Sequence, residues 1–368
     1  MAAFQKRGQI EVTFNWIYIV IAGAVILLFF FGLVVRQKQV SEERLSGEVV
    51  QVMNSILVGA GVSEKTKNFI DASGLADYTL YFSCENGVSE FGIKDRPART
   101  QNNIDPLFAP REIQSSRIVT WSLPYNLPFK VIDFLFVIPS NIKYYVVGND
   151  GEFVNEFLSS TEGIERQFLS NLQQLEPEKN RQVRIVDVDG SSIPAAGVPE
   201  ALQSWDDQEA SAVVFTAKNQ VDFYQKKGAV WQKLNQNPLR IISLAGERDA
   251  AKYAAIFSAD HNLYWCNMIK AFRRLELLTE VYGGEEIAFS EAGGKLGSLI
   301  AHYRNIPGSE CIGYLEKYDA NALEALTALR HNVAACQLQP ESCLDLIDAA
   351  QKLKEANTHL RVSCTPLY

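Results

Sequence analysis

The stretch of residues 14–35 constrains this chain most, because it is strongly apolar and carries no charged side chain. As a helix rising about 1.5 Å per residue, it matches the hydrocarbon thickness of a bilayer, which is about 30 Å. Its apolar run is longer than the core of a secretory signal peptide, and no small-residue cleavage site follows Val35. The sequence therefore predicts a transmembrane helix that anchors the rest of the chain to a lipid bilayer.

The charges beside this span predict its orientation. Lys6 and Arg7 precede it, whereas the basic residues that follow it are soon joined by Glu42 and Glu43. An excess of positive charge favours the cytoplasmic side of a membrane. We therefore expect a cytoplasmic N-terminus, with the remaining domains on the extracytoplasmic side.

All the cysteines follow the predicted span. An even set in an extracytoplasmic setting favours disulfides over metal ligation, and no CxxC pair indicates a metal site. Buried free thiols are the alternative. The cysteines are Cys84, Cys266, Cys311, Cys336, Cys343 and Cys364.

The composition is that of a globular protein. The hydrophobic fraction of 47% and the charged fraction of 21% differ from those of disordered chains. The formal net charge of -8 argues against a nucleic-acid surface, which needs concentrated Lys and Arg. The sequence contains no GxGxxG motif at a strand-to-helix turn, no P-loop, no GxSxG elbow and no HExxH, so no cofactor is predicted.

The pattern of apolar residues divides the chain into six segments. The predicted fold class is α/β, with a transmembrane helix, a Rossmann-like α/β domain that has an antiparallel edge meander, and an all-α C-terminal subdomain. The segments are a basic leader (1–13), the transmembrane helix (14–35), a helical stalk (36–61), a β-hairpin with a Pro-rich segment (62–128), the α/β domain (129–247) and the helical subdomain (248–368).

The stalk is predicted to extend the membrane helix. Leu45, Val49, Val52 and Ile56 recur at helical spacing and form one apolar stripe, and glycines near residue 60 end the helix. Such a stripe fits either a seam between copies in an oligomer or a helix that lies on its own domain.

A hairpin and a proline-rich segment come next. Residues 78–82 and 88–93 are β-prone and flank Asn86-Gly87, a pair suited to a tight turn. Five prolines between residues 96 and 128 predict an extended loop or linker. Its aromatic residues are expected to cover core, with a ligand groove as the alternative.

Strand and helix patterns alternate in residues 129–247. One helix, interrupted by Gly163, is predicted from Phe153 to Leu172. The three short strands before residue 235 are predicted to form the edge meander. The predicted strands are 133–138, 144–147, 182–188, 212–217, 221–225, 229–234 and 239–244.

Polar residues follow several of these strands. Asp187 and Asp189 lie at the end of one strand, Thr216 ends another, and Glu247 and Asp249 follow a third. Paired carboxylates at the carboxyl ends of parallel strands can hold Mg²⁺ against a phosphate while one of them attacks.

This order resembles that of the haloacid-dehalogenase-like phosphohydrolases. The resemblance implies Asp187 as nucleophile, Asp189 as acid and Thr216 as the strand-end threonine, with Asp187, Glu247 and Asp249 as Mg²⁺ ligands. An Asp-Gly-Ser sequence after a strand also indicates a turn whose side-chain oxygens accept backbone hydrogen bonds. We favour the turn and assign no catalytic residue and no metal.

Helices dominate after residue 248. Asp260 is expected to cap a helix whose buried face includes Cys266. The basic cluster Lys270, Arg273 and Arg274 on this helix is expected to be a solvated face. Two further helices, 322–336 and 341–356, are predicted to be antiparallel neighbours because the join between them is short.

This helix pair gives a prediction for disulfide pairing. Cys336 ends one helix and Cys343 begins the next, so the two sulfurs are expected to meet. We expect Cys266 to pair with Cys311, which leaves Cys84 and Cys364 by elimination.

Two further resemblances concern the leader and the body of the chain. Lys6-Arg7-Gly8-Gln9-Ile10-Glu11 is similar to the processing site of archaeal type IV pilin-like precursors, which implies cleavage after Gly8. Residues 134–137, 143–145, 266–268 and 270–275 resemble parts of a group of uncharacterised single-pass archaeal membrane proteins, and this resemblance implies no activity.

The sequence supports three functions. The first is a membrane-anchored extracytoplasmic protein with a structural, assembly or adhesion role, whose partners are the bilayer and a second copy or another envelope protein. The second is a membrane-tethered Mg²⁺ phosphohydrolase that uses Asp187 and Asp189. The third is a pilin-like filament subunit. We favour the first.

Overall fold

The computed structural model describes residues 8–61, 66–149, 151–179, 181–216, 219–244, 248–284, 293–319 and 321–368. For residues 8–19, 34–35, 38–43, 45–46, 61 and 341, only the backbone is described. Lys6 and Arg7 of the predicted leader lie outside the described residues.

The described residues combine helices with β-sheets, which confirms the α/β class. The helices are α1 (Gly8–Gly61), α2 (Gly151–Ser160), α3 (Glu200–Gln203), α4 (Ala250–Phe257), α5 (His261–Gly283), α6 (Gly294–Arg304), α7 (Ala322–Leu338) and α8 (Cys343–Ser363). The strands are β1 (Lys67–Asp71), β2 (Leu80–Glu85), β3 (Val88–Ile93), β4 (Arg99–Asn102), β5 (Leu107–Phe108), β6 (Glu112–Ile113), β7 (Arg117–Asn126), β8 (Lys130–Pro139), β9 (Ile142–Val147), β10 (Arg166–Leu169), β11 (Gln182–Asp187), β12 (Ala210–Thr216), β13 (Gln220–Lys227), β14 (Val230–Lys233) and β15 (Leu239–Arg240).

Helix α1 runs without interruption through the predicted span and stalk. Its C-terminal part packs on the protein's own sheets through Val50, Met53, Leu57 and Ala60. The predicted stripe is wrong by about one residue, since Val52 is 58% exposed. Apolar residues occupy both registers of this segment, so periodicity alone could not select the buried one. The side chain of Leu45 lies outside the described residues.

The predicted membrane span falls within α1. Backbone alone is described for residues 14–19 and for residues 34 and 35 of this stretch. Within the part of the chain that the structure describes, no helix combines the length and the hydropathy that a membrane crossing requires.

Two small sheets follow α1. One has the strand order β1-β7-β8-β5 and the other the order β4-β3-β2-β6. Strand β8 separates two hydrophobic cores: Phe134 and Phe136 face the larger core, whereas Leu135 and Val137 face the core beneath α1. A strand buried on both faces reads as a continuous apolar run, which is why this segment was recognisable from the sequence.

The hairpin at Asn86-Gly87 is confirmed. Strands β2 and β3 pair from Leu80 with Ile93 to Glu85 with Val88. Asn86 and Gly87 both have positive φ, at 51° and 79°. These values are the ones that a two-residue turn of this kind requires.

The prediction of a loop or linker for residues 96–128 is wrong. This segment contains four strands, including the ten-residue β7. Pro124 lies inside β7 because the ladder with β1 ends at Trp121, opposite Lys67. The backbone nitrogen of Pro124 faces the β1 side of β7, but at a point beyond the end of β1. No partner strand lies opposite it there, so the proline breaks no ladder bond.

A third sheet forms the α/β part, with the order β10-β9-β11-β12-β13-β14. Strands β10, β9, β11 and β12 are parallel. Strands β13 and β14 complete the edge as an antiparallel meander, as predicted. The strand predicted at 239–244 is shorter, since β15 ends at Arg240.

The helix predicted from Phe153 to Leu172 is also shorter than expected. Helix α2 ends at Ser160, and residues 166–169 form strand β10 instead. Gly163 between them has φ 85°, a left-handed conformation that stops the helix. Phe168 therefore lies in a strand, and 43% of it is exposed.

The C-terminal helices begin at side-chain caps. Asp249 accepts hydrogen bonds from the N–H groups of Ala251 and Lys252 at the start of α4. Asp260 caps α5 in the same way, as predicted, and Asn321 caps α7. Helices α7 and α8 lie side by side after a short connection. Helix α5 contacts α6, α7 and the hairpin strand β2, so it joins the helical part to the β-sheets.

All the cysteines are paired. The predicted Cys336–Cys343 disulfide is confirmed, with a Cα–Cα distance of 4.6 Å. The other two predicted pairs are wrong: Cys84 pairs with Cys266, and Cys311 pairs with Cys364. The hairpin lies against α5, and the C-terminus of α8 returns to the segment after α6. Neither long-range contact leaves a signal in the cysteine spacing.

We expect loop length to rank the disulfides by their effect on stability. Cys84–Cys266 closes a separation of 182 residues and Cys336–Cys343 one of only 7. In the chain-entropy account, removing the first by paired Cys→Ser substitutions costs about 5 kcal/mol of unfolding free energy, and removing the second costs about 2 kcal/mol. Chemical denaturation of the two double variants measures this difference. Equal losses, or a larger loss for Cys336–Cys343, would contradict the ranking.

Candidate functional site

The carboxyl ends of β9, β11 and β12 form the sheet edge where the sequence placed its candidate catalytic residues. Asp187, the last residue of β11, lies beside Val147 of β9 and Val214 of β12. Thr216 ends β12, and the turn at Gly190 packs against it. The structure therefore brings Asp187, Asp189 and Thr216 to one edge, as the sequence predicted.

Asp187 is completely buried, and both oxygens of its carboxylate accept hydrogen bonds from backbone N–H groups. Oδ1 accepts a hydrogen bond from the N–H of Gly190 at 2.9 Å, and Oδ2 accepts bonds from Ser192 and Ile193 at 2.9 and 2.8 Å. Burial raises the pKa of Asp187, although the N–H groups of Ile193 and Ser192 act in the opposite direction. This carboxylate therefore shapes the turn after β11.

Asp189 joins the ends of two parallel strands. Its Oδ2 accepts a hydrogen bond from the N–H of Asn149, which follows β9, and its Oδ1 accepts one from Ser191. Burial raises the pKa of Asp189, but the hydrogen bonds from Ser191 and Asn149 outweigh this effect and hold the pKa below its usual value.

The crevice between β9 and β11 is closed by Asp189. Strand order reverses between these strands, and open α/β sheets commonly bind ligands at such a point. Gly148 has φ 117°, and a Cβ built on it would lie 2.7 Å from Oδ1 of Asp189. Asp189 thus lies against Gly148 and bridges the ends of the two strands, so the arrangement supports a structural turn.

Among the described residues, the remaining candidate ligands do not form a metal site. Asp249 is committed to capping α4 and accepts a further hydrogen bond from Ser243 Oγ at 2.5 Å. Glu247 lies outside the described residues. Within the described part of the chain, no three His, Cys, Asp or Glu side chains are grouped to hold a metal ion. The buried hydroxyl of Thr216 has no hydrogen-bond partner among the described residues.

A cavity of about 490 Å³ opens at the opposite edge of the same sheet, where β9, β11 and β12 begin. Arg184 lies in its wall with only 5% of the residue exposed. The guanidinium donates to the carbonyls of Ala255, Ile256, Ser258 and Ala259 and to Ser211 Oγ.

These acceptors give Arg184 a structural role. They lie at the C-terminal end of α4 and in the turn that follows it, where helix carbonyls lack partners and a cation is favourable. Burial lowers the pKa of Arg184 to about 10. Since each N–H of the guanidinium already has an acceptor, the side chain fixes α4 to the sheet and has no donor left for a ligand.

The prediction of a solvated basic face on α5 is wrong for Lys270, whereas Arg273 and Arg274 are exposed as predicted. Only 2% of Lys270 is exposed. Its Nζ donates to Ser89 Oγ at 2.6 Å and to the carbonyls of Asn102 and Asp105 at 2.8 and 3.0 Å. Lys270 lies one helical turn after Cys266, so it faces the hairpin on the same side of α5. This four-residue spacing from Cys266 is the sequence feature that indicates a shared face for Lys270 and the cysteine.

Asn267 completes a buried polar contact, here called the α5–hairpin contact, which consists of Cys84, Ser89, Cys266, Asn267 and Lys270. Oδ1 of Asn267 accepts hydrogen bonds from Ser89 Oγ at 2.9 Å and from the N–H of Leu107 at 3.0 Å. With the Cys84–Cys266 disulfide, this contact fixes α5 to the β2–β3 hairpin.

Helix α1 carries an apolar surface that the other described residues leave uncovered. Large apolar residues between Val20 and Leu33 are 47% to 71% exposed. They include the consecutive run of residues 25–31. A Cβ built on Gly23 or Gly32 would meet no other atom within 4 Å. Contiguous apolar surface of this kind marks a site of association.

Comparison of the chain with protein-family models, with curated proteins and with solved structures finds no match.

Lys270 gives a prediction for the pH dependence of stability. Burial lowers the pKa of Lys270 to about 7, whereas an unfolded lysine titrates near 10.4. Between these values the unfolded state binds more protons, so the unfolding free energy rises with pH, by up to about 1.4 kcal/mol per unit. A Lys270→Met variant lacks this rise, and Lys354→Met at an exposed position retains it. Denaturant titrations from pH 6 to 9.5 measure the difference between the curves. Parallel curves for the native chain and Lys270→Met would contradict the assignment.

Proposed function

We propose that the chain is a single-pass membrane protein whose folded part lies on the extracytoplasmic side and has a structural, assembly or binding role. The observation that carries this proposal is the exposed apolar surface of α1 between Val20 and Leu33. An apolar surface of this size is stable only when something covers it.

The apolar residues surround the helix. Successive residues of an α-helix are about 100° apart, so the consecutive residues 25–31 point in every direction around the axis. A groove on one partner protein covers a single face of a helix. A lipid environment covers all faces at once, and the sequence of residues 14–35 has the length for it.

The folded part is attached rigidly to the proposed anchor. Helix α1 continues to Gly61 without a break, and its last turns are buried against the sheets through Met53 and Leu57. The body of the protein is therefore held close to the proposed membrane surface. The three disulfides support an oxidising, extracytoplasmic location, because such bonds persist mainly outside the reducing cytosol.

A binding or assembly role accounts for the candidate residues better than catalysis does. Backbone N–H groups occupy the carboxylates of Asp187 and Asp189, and Asp249 is a helix cap. We further propose that the sheet belongs to the doubly wound, Rossmann-like class, which the parallel order β10-β9-β11-β12 supports.

A pilin-like filament subunit is the second candidate. The same observation favours it, since copies of α1 packed in a bundle can also cover an apolar surface on all sides. In that case the leader is removed after Gly8, and the mature chain begins at Gln9.

Membrane extraction tests the proposed anchor. We expect the full chain to remain in the membrane pellet after an alkaline carbonate wash. A Leu27→Arg/Leu28→Arg variant should be largely released, because each charge in mid-bilayer costs about 3 kcal/mol. Val52→Arg is the matched control, since Val52 is also exposed on α1 but lies outside the proposed span. Release of the unmodified chain would contradict the anchor.

Two further measurements on the same membranes address orientation and processing. External protease should digest the folded part in intact cells, and digestion only after lysis would contradict the proposed orientation. The mass of the isolated chain separates the two candidates: an intact leader supports the anchor alone, and a terminus at Gln9 supports the pilin-like subunit.

A further inference from the structure

Strand β1 is an edge strand with one open side. Among the described residues it pairs only with β7, from Lys67 opposite Trp121 to Asp71 opposite Arg117. The carbonyl of Thr66 accepts from the N–H of Ser122, and the N–H of Ala72 donates to Ser116. Because hydrogen-bonded pairs alternate in an antiparallel ladder, the even-numbered residues of β1 direct their backbone groups toward β7. Lys67, Phe69 and Asp71 therefore present their N–H and C=O groups to the open side.

Phe69 is the central residue of this edge, and 64% of it is exposed. Its ring is held in place by Gly163, where a built Cβ would lie only 2.6 Å from the ring. The ring also borders a groove of about 650 Å³ whose walls include Val119, Ile138 and Ile164. An apolar side chain held in the open on an unprotected strand edge is a template for association.

The sequence of β1 is complementary to itself. When two copies of Lys67-Asn68-Phe69-Ile70-Asp71 run antiparallel about Phe69, each Lys67 faces Asp71 of the other copy, and the two Phe69 rings face each other. Opposite charges and aromatic pairs directly across a ladder are stabilising. The outward-facing residues would become the hydrogen-bonded pairs of the new ladder, so the backbone register and the side-chain register agree.

The ammonium of Lys67 already has partners within its own chain. It donates to the backbone carbonyls of Ser160 and Glu162. Nζ also lies 4.9 Å from the centroid of the Trp121 ring. An ammonium has three N–H donors, so the carboxylate of Asp71 in the other copy shares the third donor with this ring.

We propose that β1 is a homodimer interface, in which two copies of this chain pair their β1 edges about a twofold axis to form one continuous sheet. A twofold axis through Phe69 satisfies the requirement that both copies use the same patch. The pairing does not depend on the membrane anchor, because each residue that carries it lies after α1.

Cysteine cross-linking of the full chain in detergent tests this register. A Phe69→Cys variant places two sulfurs in directly opposed residues, whose Cα atoms in a hydrogen-bonded pair are about 5.5 Å apart, a distance that a disulfide spans. Asn68→Cys is the matched control, because it lies in the same strand, is exposed, and would oppose Ile70 rather than its own copy. We expect about tenfold more disulfide-linked dimer for Phe69→Cys, since Cα atoms beyond about 7 Å cannot be bridged.

Charge reversal supplies an independent arm. Asp71 is exposed, and its carboxylate accepts the N–H of Ser73 and lies opposite Arg117 in the ladder with β7. Asp71→Lys therefore removes no buried contact, and Asp71→Asn, which loses the charge without placing a lysine beside Arg117, is the matched variant. In the Phe69→Cys background, Asp71→Lys opposes two lysines at each end of the ladder and should lower the cross-linked fraction several-fold. Mixing it with a Lys67→Asp/Phe69→Cys chain restores opposite charges at both ends and should restore the cross-link.

The result of each arm decides the proposal. Equal cross-linking of Phe69→Cys and Asn68→Cys would overturn it, and so would no effect of Asp71→Lys. A dimer of Phe69→Cys chains in which no disulfide forms under oxidising conditions would overturn it as well, because the two residues then do not oppose each other. Thermal unfolding of each variant identifies any that has lost its fold. If Lys67→Asp is lost for this reason, the comparison of Phe69→Cys with and without Asp71→Lys still decides the outcome.

Discussion

The α5–hairpin contact is the interaction on which the rest of the structure depends. On one side of α5 it fixes the β2–β3 hairpin through Cys84–Cys266, Ser89 and Lys270. On its other sides, α5 packs against α6, α7 and strand β8. The helical part and the two small sheets therefore meet on a single helix. Strand β8 of the sheet β1-β7-β8-β5 connects the core beneath α1 to the larger core, because its two faces belong to different cores.

Two buried basic side chains, Lys270 and Arg184, have the same kind of hydrogen-bond acceptors. In the part of the chain that the structure describes, neither donates a hydrogen bond to a carboxylate, and both donate mainly to backbone carbonyls at the ends of helices or strands. An unpaired buried charge costs free energy, which is why burial lowers the pKa of both. Each side chain has several acceptors in fixed directions, so it determines one position of its helix against the sheet. The two residues thus add specificity of packing at a cost in stability, as buried polar groups do in some other systems.

The sequence predicted elements with a strong local pattern and missed those decided by distant contacts. Strand β8, the Asn86-Gly87 turn, the edge meander and the cap at Asp260 each have a signal within a few residues. Strand β7 was missed because proline counts against a strand unless its N–H faces an uncovered side, and that depends on where β1 ends. The buried face of α1 was predicted about one residue away from its actual position, because apolar residues occupy both possible faces. The disulfides follow the same division: Cys336–Cys343 is local, whereas Cys84–Cys266 records the docking of a hairpin on a helix far along the chain.

The candidate site also has features that the sequence predicted and features that it did not. Strand-end positions placed Asp187, Asp189 and Thr216 correctly at one edge, because parallel strands bring their carboxyl ends together. Periodicity does not reveal that Gly148 and Asp189 close the crevice there, since this depends on packing between distant segments. The helical spacing of Lys270 from Cys266 indicates that the two share a face of α5, but only the docking of the hairpin shows that this face is buried. Local patterns thus located these groups along the chain, and only the fold determined their surroundings.

Native-state hydrogen exchange of the oxidised full chain, followed by mass spectrometry, tests the central role of the α5–hairpin contact most directly. If the contact joins the parts of the protein, the amides of β2 and β3 open with the same free energy as those of α5 around Asn267 and Lys270. If the hairpin exchanges at a much lower free energy while α5 remains protected, the hairpin is an independent appendage and the account is contradicted.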